Sequence, residues 1–139
     1  MNVINSFRGE NFFLSNMYPC TIILGGVRYT CAEAAFQAVK LADKAKRKQF
    51  EGLSGAEAKR LGRKVPLRTD WHKIRVDVMK WILTEKFRQN PDLRVKLKQT
   101  GDCELVEGNA WGDIFWGVCK GVGQNRLGVL LMELRGSLD

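Results

Sequence analysis

The chain has 139 residues, of which 45% are hydrophobic and 27% charged, which is typical of one globular domain that buries its own core. No stretch approaches the roughly 18 apolar residues of a membrane span, and the start lacks the apolar region of a signal peptide, so we expect a cytoplasmic protein without membrane contact. Four scattered cysteines and a single histidine, His72, argue against a disulfide scaffold or a zinc site, and no metal or cofactor is expected.

The net charge of +8 is unevenly distributed along the chain. Residues 40–98 hold 18 lysines and arginines against 7 acidic residues, a net charge of +11, whereas the remaining residues hold 5 against 8. A basic segment of this kind attracts nucleic acid or phosphorylated small molecules, but interspersed acids also fit ordinary solvated helix faces. The charge leaves both interpretations open.

The first half of the chain shows strand patterns followed by helix patterns. Residues 21–30 predict two short strands joined by Gly25 and Gly26, because a two-residue hairpin turn needs positive φ angles. Helical spacing follows over residues 31–44 and again over 46–51. A capping box at residues 54–57 then predicts a short helix, which Gly62 would end.

The second half is predicted to be mostly helical. Thr69 and Asp70 start a long helix over 71–89, and its apolar face is formed by Ile74, Val78, Trp81 and Ile82. The segments that follow are a helix from Pro91 to about residue 99, a short strand within 103–108, a loop over 109–124, and a helix over 126–135 capped by Asn125 and closed by Gly136. We therefore predict an α+β fold, a single helix-dominated domain over residues 1–139 with a small antiparallel β-sheet.

One helix carries a narrow polar column. At about 100° per residue, Glu33, Gln37 and Lys40 fall within an arc of roughly 60°, while small or apolar residues fill most of the remaining circle. An ordinary solvent-facing stripe explains this pattern, but surface helices usually have a broader polar face. The alternative is that the column forms the wall of a cleft.

Glycine and tryptophan mark the segment before the last helix. Gly123 and Asn125 lead into that helix, where free backbone amides and the helix dipole form a general anion site, unless Asn125 is only a structural cap. Trp111 and Trp116 flank Asp113, and these two rings either pack in the core or stack on a ligand.

Other candidates are weaker when taken alone. Phe12, Phe13 and Leu14 are expected in the core, Ser15 and Asn16 in a turn, and Arg8 either at the surface or on a phosphate. In the long basic helix, Trp71 is expected to anchor the core and His72 to lie at the surface. Trp71, Arg75 and Lys86 lie on this helix but do not form a tight column on one of its faces.

Ten motifs occur in an order that resembles the NADAR, or YbiA-like, family. The match spans essentially the whole chain and includes LSN at 14–16, E-x-x-F-Q-x-x-K at 33–40, LGR at 61–63, W-x-x-x-R at 71–75, KF-x-QNP-x-L at 86–93, TGD-x-x-LVE at 100–107, D-x-x-WG at 113–117 and G-x-N-x-LG-x-x-LM-x-x-R at 123–135. The sequence departs from the family pattern at Met17, where phenylalanine is usual, and at Val118-Cys119, where a further glycine is common.

The resemblance implies an N-glycosidase that cleaves the bond between ribose C1 and an exocyclic nitrogen. Cleaving this bond builds positive charge on the sugar, so a carboxylate near C1 is needed. We expect Glu33 to activate water or to stabilise that charge, and Asp113 to position the ribose hydroxyls. Lys40 either holds a phosphate or forms an imine with the ring-opened sugar.

Further residues are expected to bind the substrate. Trp71 and Trp116 are candidates for stacking on the base. Phosphate ligands are expected at Arg8, Arg75 and Lys86, and at Asn125 with the backbone of Gly123. The remaining predicted substrate-binding residues are Ser15, Asn16, Gln37 and Gly117.

Three functions remain open within this resemblance. The first is hydrolysis of ribosylamino-pyrimidine phosphates, early intermediates of riboflavin biosynthesis. The second is removal of ADP-ribose from guanine bases of nucleic acid, which the basic segment favours. The third is a non-catalytic module that binds ADP-ribose or NAD. A plain nucleic-acid-binding domain would be expected to show exposed aromatic residues among the basic ones.

Overall fold

The computed structural model describes residues 2–138 and follows the predicted order of elements. The helices are α1 (Ala32–Val39), α2 (Gly55–Gly62), α3 (Trp71–Gln89), α4 (Pro91–Gln99) and α5 (Arg126–Ser137), and Gly9–Leu14 and Lys44–Phe50 are 3₁₀ segments. The strands are β1 (Val3–Ile4), β2 (Ile22–Leu24), β3 (Val27–Tyr29), β4 (Glu104–Leu105), β5 (Gly108–Asn109) and β6 (Val118–Cys119). The predicted α+β class with a helical majority is confirmed.

The described residues form two compact units. One consists of Asn16–Asn90, and the other of the residues up to 15 together with those from 91 onward. The single domain over residues 1–139 stays a prediction.

Helix α1 lies at the centre of the Asn16–Asn90 unit. It packs against α2, α3, the Lys44–Phe50 segment and both strands of the β2–β3 hairpin. Every residue of α1 except Glu33 is buried, and four of the eight are alanine. Small side chains let neighbouring elements approach from several directions, so the core closes around this helix.

Two local predictions in this unit are confirmed. Strands β2 and β3 pair antiparallel, and Gly25 and Gly26 adopt φ angles of 57° and 81° in the turn between them. The Ser54 hydroxyl accepts from the Glu57 amide at 3.2 Å, and the Glu57 carboxylate accepts from the Ser54 amide at 2.9 Å. Both motifs depend on residues close in sequence, which is why the pattern predicts them well.

The second unit contains pairings that were not predicted. Strand β1 pairs parallel with β4, and β5 pairs parallel with β6 inside the segment expected to be a loop. Helix α5 packs against β4 and buries Leu127 and Leu131. The predicted antiparallel sheet is therefore only the β2–β3 hairpin, because strands of two residues carry no periodicity of their own.

Several predicted boundaries and burials are wrong. Helix α1 ends at Val39, and the chain then turns into the 3₁₀ segment, with the Asp43 carboxylate accepting from the Ala45 amide at 3.0 Å. Gly136 lies inside α5 and does not close it. Trp81, expected on the apolar face, is 44% exposed, and Phe12, expected in the core, is 37% exposed.

Among residues 2–138, no helix combines the length and the apolar character that crossing a bilayer requires. The four cysteines are free thiols. The same residues contain no group of three or more His, Cys, Asp or Glu side chains arranged to hold a metal ion.

Candidate active site

The polar column of α1 forms a connected pair of side chains in the structure. The Gln37 side-chain amide donates to Glu33 Oε2 at 2.7 Å. Gln37 is 7% exposed, whereas Glu33 and Lys40 are half-buried. A fully solvated stripe would leave Gln37 in water, so the column belongs to a largely buried wall in which Glu33 keeps partial access to solvent.

Asn16 contacts the backbone of Glu33, whereas Gln37 contacts its side chain. The Asn16 carbonyl accepts from the Glu33 backbone amide at 2.9 Å, and its side-chain amide donates to Met79 Sδ at 3.6 Å. The Asn16 side-chain oxygen is buried and accepts no hydrogen bond from the described residues. A buried polar atom without a partner costs roughly 1–3 kcal/mol, and the predicted contact of Asn16 with substrate stays a prediction.

Lys40 follows α1 and lies within electrostatic range of Glu33. Burial lowers the pKa of the Lys40 ammonium group. The Glu33 carboxylate opposes this shift, and the positive charges of Arg63 and Lys59 add to it. The amine therefore loses its proton more readily than an ordinary lysine, and only a neutral amine attacks a carbonyl carbon.

Trp71 and Arg75 occupy the first turns of α3. The Trp71 ring is 4% exposed and packs against Phe36 of α1, with ring centroids 4.8 Å apart. This position favours the role of core anchor over stacking on a base. Arg75 is half-buried on the same helix.

The burial of Lys86 is the least expected feature of the Asn16–Asn90 unit. This residue is completely buried, and its amine lies 5.3 Å from the centre of the Phe87 ring and 6.0 Å from that of Tyr18. Burial lowers the pKa of Lys86 to about 8, although Cys20 and Cys31 act in the opposite direction. The predicted contact of Lys86 with a substrate phosphate stays a prediction.

A pocket of 590 Å³ lies at the other end of α1 from Glu33. Its lining includes Leu41, Pro66 and Leu67, and the ion pair between Arg68 and Asp70 at 2.7 Å. Glu33, Gln37 and Lys40 are not among its lining residues. The pocket adjoins the column only at its Lys40 end, where the Lys40 carbonyl accepts from the Arg68 amide at 2.9 Å.

In the second unit, Asp113 organises its own loop. Its Oδ1 atom accepts from the backbone amides of Phe115 and Trp116 at 3.1 and 2.9 Å. The Asn109 side chain bonds to both the amide and the carbonyl of Asp113. This is the geometry of a carboxylate that fixes a turn, and its predicted contact with ribose hydroxyls stays a prediction.

The start of α5 is closed by the loop before it. Four backbone amides donate to carbonyls of this loop at 2.8–3.2 Å: residue 124 to residue 114, 125 to 117, 126 to 115 and 127 to 116. Asn125 makes no side-chain cap and adopts a left-handed conformation, and its side chain instead bonds to Leu105 and Glu107. The amides of residues 124 to 127 are therefore satisfied by the chain itself, and the predicted contact of Gly123 and Asn125 with a substrate phosphate stays a prediction.

The other predicted residues of this unit have varied surroundings. Arg8 is exposed, and Ser15 and Trp116 are half-buried, with Trp116 packed edge-on against Phe115 at 4.9 Å. A side chain on Gly123 would collide with the Gly117 carbonyl, so the two glycines allow a close backbone approach. Their predicted contact with substrate stays a prediction.

Glu107 is a residue that the sequence analysis missed. Its carboxylate accepts from the Asn109 side-chain amide at 3.1 Å, and a side chain on Gly117 would occupy the same space as that carboxylate. The sequence signal for it was that the LVE motif, which contains Glu107, occurs together with the WG motif, which contains Gly117. Only the fold shows that the glycine makes room for the acid.

Comparisons with known proteins show the family and the fold of the chain. The NADAR domain model matches residues 5–139. N-glycosidase YbiA of Shigella sonnei is 39% identical over 89% of this chain and 79% of that protein. The riboflavin biosynthesis protein VVA0006 of Vibrio vulnificus is 42% identical over 91% of this chain, which spans only 35% of its length. The NMR structure of Escherichia coli YbiA matches with a TM-score of 0.85 and 36% identity, over 97% of this chain and 83% of that one.

Proposed function

Because this chain belongs to the NADAR family and is an N-glycosidase, we propose that it hydrolyses the bond between ribose C1 and the exocyclic nitrogen of a ribosylamino-pyrimidine phosphate. The observation that carries this proposal is the hydrogen-bonded Glu33–Gln37 pair on an otherwise buried helix. The name of the Vibrio vulnificus relative, a riboflavin biosynthesis protein, supports the substrate class.

Glu33 is the group that acts at the sugar carbon. In the forward step, the Glu33 carboxylate takes a proton from water while the water oxygen bonds to C1 and the C1–N bond breaks. The proton taken by Glu33 then passes to the departing nitrogen, so the pyrimidine leaves as its amine and the carboxylate is restored. Gln37 and the Asn16 carbonyl hold Glu33 at its side chain and its backbone, so the carboxylate keeps one orientation during the reaction.

Lys40 offers a second route through a covalent intermediate. A ribosylamine opens at C1, and a neutral Lys40 amine attacks that carbon and displaces the pyrimidine amine, leaving an imine that water then hydrolyses to free sugar and free lysine. The lowered pKa of Lys40 favours this route. Phosphate binding by Lys40 is the alternative.

Borohydride trapping distinguishes the two roles of Lys40. With substrate present, we expect reduction to attach the sugar covalently to wild-type protein and not to Lys40→Met. In Arg63→Gln the midpoint pH of trapping should move upward, because loss of a nearby positive charge raises the pKa of Lys40. Lys80→Gln, at an exposed position of α3, should leave that midpoint unchanged. Base release without any trapped adduct would show that Lys40 only binds.

Removal of ADP-ribose from guanine in nucleic acid is the second candidate. It is favoured by the exposure of Trp81, which stands on α3 among the exposed side chains of Lys73, Lys80 and Arg88. Exposed aromatic rings among basic residues suit single-stranded nucleic acid. Under this alternative, binding to an ADP-ribosylated oligonucleotide should weaken steeply with salt, through counterion release.

A side-by-side assay tests the proposed function. The purified protein is incubated with a ribosylamino-pyrimidine phosphate and, separately, with ADP-ribosyl-guanine DNA, and the released products are quantified. We expect the first substrate to be cleaved much faster. Faster cleavage of the modified DNA would replace the first function with the second, and binding without cleavage of either would indicate a non-catalytic module.

A further inference from the structure

Gly62, the last residue of α2, lies directly against the Gln37 side chain. A Cβ added at Gly62 would lie 2.8 Å from Gln37 Cδ and would collide with Gln37 Oε1. Gly62 is buried, and so is the side chain it contacts. The Gln37 amide therefore occupies the space that a side chain at residue 62 would fill.

The backbone does not explain a glycine at this position. The sequence pattern predicts Gly62 as a helix stop in the left-handed region, but its φ is not positive and the next residue, Arg63, is still right-handed helical. In such a conformation alanine is more favourable than glycine by roughly 1 kcal/mol. The glycine is thus costly for α2, and the close approach of Gln37 is the feature that requires it.

The Glu33 carboxylate fixes which way the Gln37 amide points. The amide oxygen lies against Gly62 and accepts no hydrogen bond from the described residues, while the amide nitrogen donates to Glu33 at 2.7 Å. A flipped amide would turn its oxygen toward the carboxylate, which is repulsive. Only the observed orientation gives Glu33 a donor.

We propose that Gly62 is a positioning residue for catalysis, which acts on Glu33 through Gln37 and does not touch the substrate. The inference rests on the proposed function, in which Glu33 acts at ribose C1. Placing a methyl group at residue 62 displaces the Gln37 amide and frees the Glu33 carboxylate to rotate. Misplacement of a catalytic group by about 1 Å lowers rates by roughly 100-fold.

Gly62→Ala is the first variant to measure. We expect kcat for base release to fall roughly 10- to 100-fold with a much smaller change in KM, because the displaced Gln37 amide is nearly fully buried and holds Glu33, which acts in the chemical step. Gly136→Ala is the matched control, since a Cβ there meets no atom within 4 Å and its φ is not positive. The control should be at least as stable as wild type and equally active.

A double-mutant cycle separates positioning from general packing. In a Gln37→Ala background the amide that alanine at 62 displaces is absent, so the added Gly62→Ala should change kcat by less than about twofold. If Gly62 only packed α2 on α1, Gly62→Ala would lower the thermal stability in the wild-type background, while the protein that stays folded would keep the wild-type kcat, because the atoms that its Cβ would crowd belong to Gln37. Should Gly62→Ala alone fail to fold, the inference still requires the double variant to fold as well as Gln37→Ala does.

Wild type and Glu33→Gln are assayed alongside to keep two failures distinct. If these two proteins release base equally, the proposed function fails and the cycle has no catalytic meaning. If Glu33→Gln is inactive while Gly62→Ala retains the wild-type kcat, only the role of Gly62 is overturned. Equal losses from Gly62→Ala in both backgrounds would overturn it too.

Discussion

Glu33→Gln is expected to lower kcat for base release by about 10² to 10⁴ while the protein stays folded, since this is the usual contribution of a general base. The amide keeps the size of the carboxylate, and its oxygen still accepts from Gln37, so the packing of α1 is preserved. What is lost is the group that takes a proton from water. The measurement is a steady-state rate on the ribosylamino-pyrimidine phosphate, with a thermal unfolding curve for the same preparation.

Glu133→Gln provides the charge-matched control. Glu133 lies exposed on α5, so its substitution removes one negative charge without affecting a buried contact. This variant should keep the wild-type kcat. Full activity in a folded Glu33→Gln protein would remove Glu33 from the mechanism and leave the column of α1 a structural feature.

Lys86→Met is expected to change stability in a pH-dependent way. The pKa of Lys86 is about 8 in the folded chain and 10.5 in the unfolded reference, so below pH 8 both states are protonated and folding must bury a charge. Between pH 8 and 10.5 the folded amine loses its proton first, and the penalty fades as pH rises. The difference corresponds to about 3 kcal/mol at most, at 1.36 kcal/mol per pH unit.

Chemical denaturation of both proteins at several pH values measures this effect. The unfolding free energy of wild type relative to Lys86→Met should rise from pH 8 to pH 10.5. The pKa values of Cys31 and Tyr29 are also shifted, upward by burial, but both proteins contain them and their effects largely cancel. Lys80→Met, at an exposed position of the same helix, should show no such trend. A flat difference for Lys86→Met would contradict the burial of an ionisable amine.

Local patterns predicted much of the Asn16–Asn90 unit. The hairpin, the capping box and the bounds of α3 depend on residues within a few positions of one another, so their signals survive in the sequence. The polar column of α1 is also local, and its narrow width correctly indicated a mostly buried helix. What the column touches depends on α2 and on Asn16, which periodicity does not show.

Contacts between residues far apart in the sequence explain most of the wrong predictions. Pairing of β1 with β4 joins residues about a hundred positions apart, and two-residue strands leave no pattern. Asn125 has the residue type of a cap, but its side chain is used to tie α5 to the segment around Glu107. Lys86 lies in a basic run, and only the packing of Tyr18 and Phe87 around it shows its burial.

Cleavage of a ribosyl C–N bond is tested most directly by the rate at which the wild-type protein releases the pyrimidine from a ribosylamino-pyrimidine phosphate. The reference is the spontaneous rate of release in the same buffer. We predict enzyme-dependent release, proportional to protein concentration, with one sugar phosphate formed for each pyrimidine. Release at the spontaneous rate, with the substrate bound but intact, would contradict it.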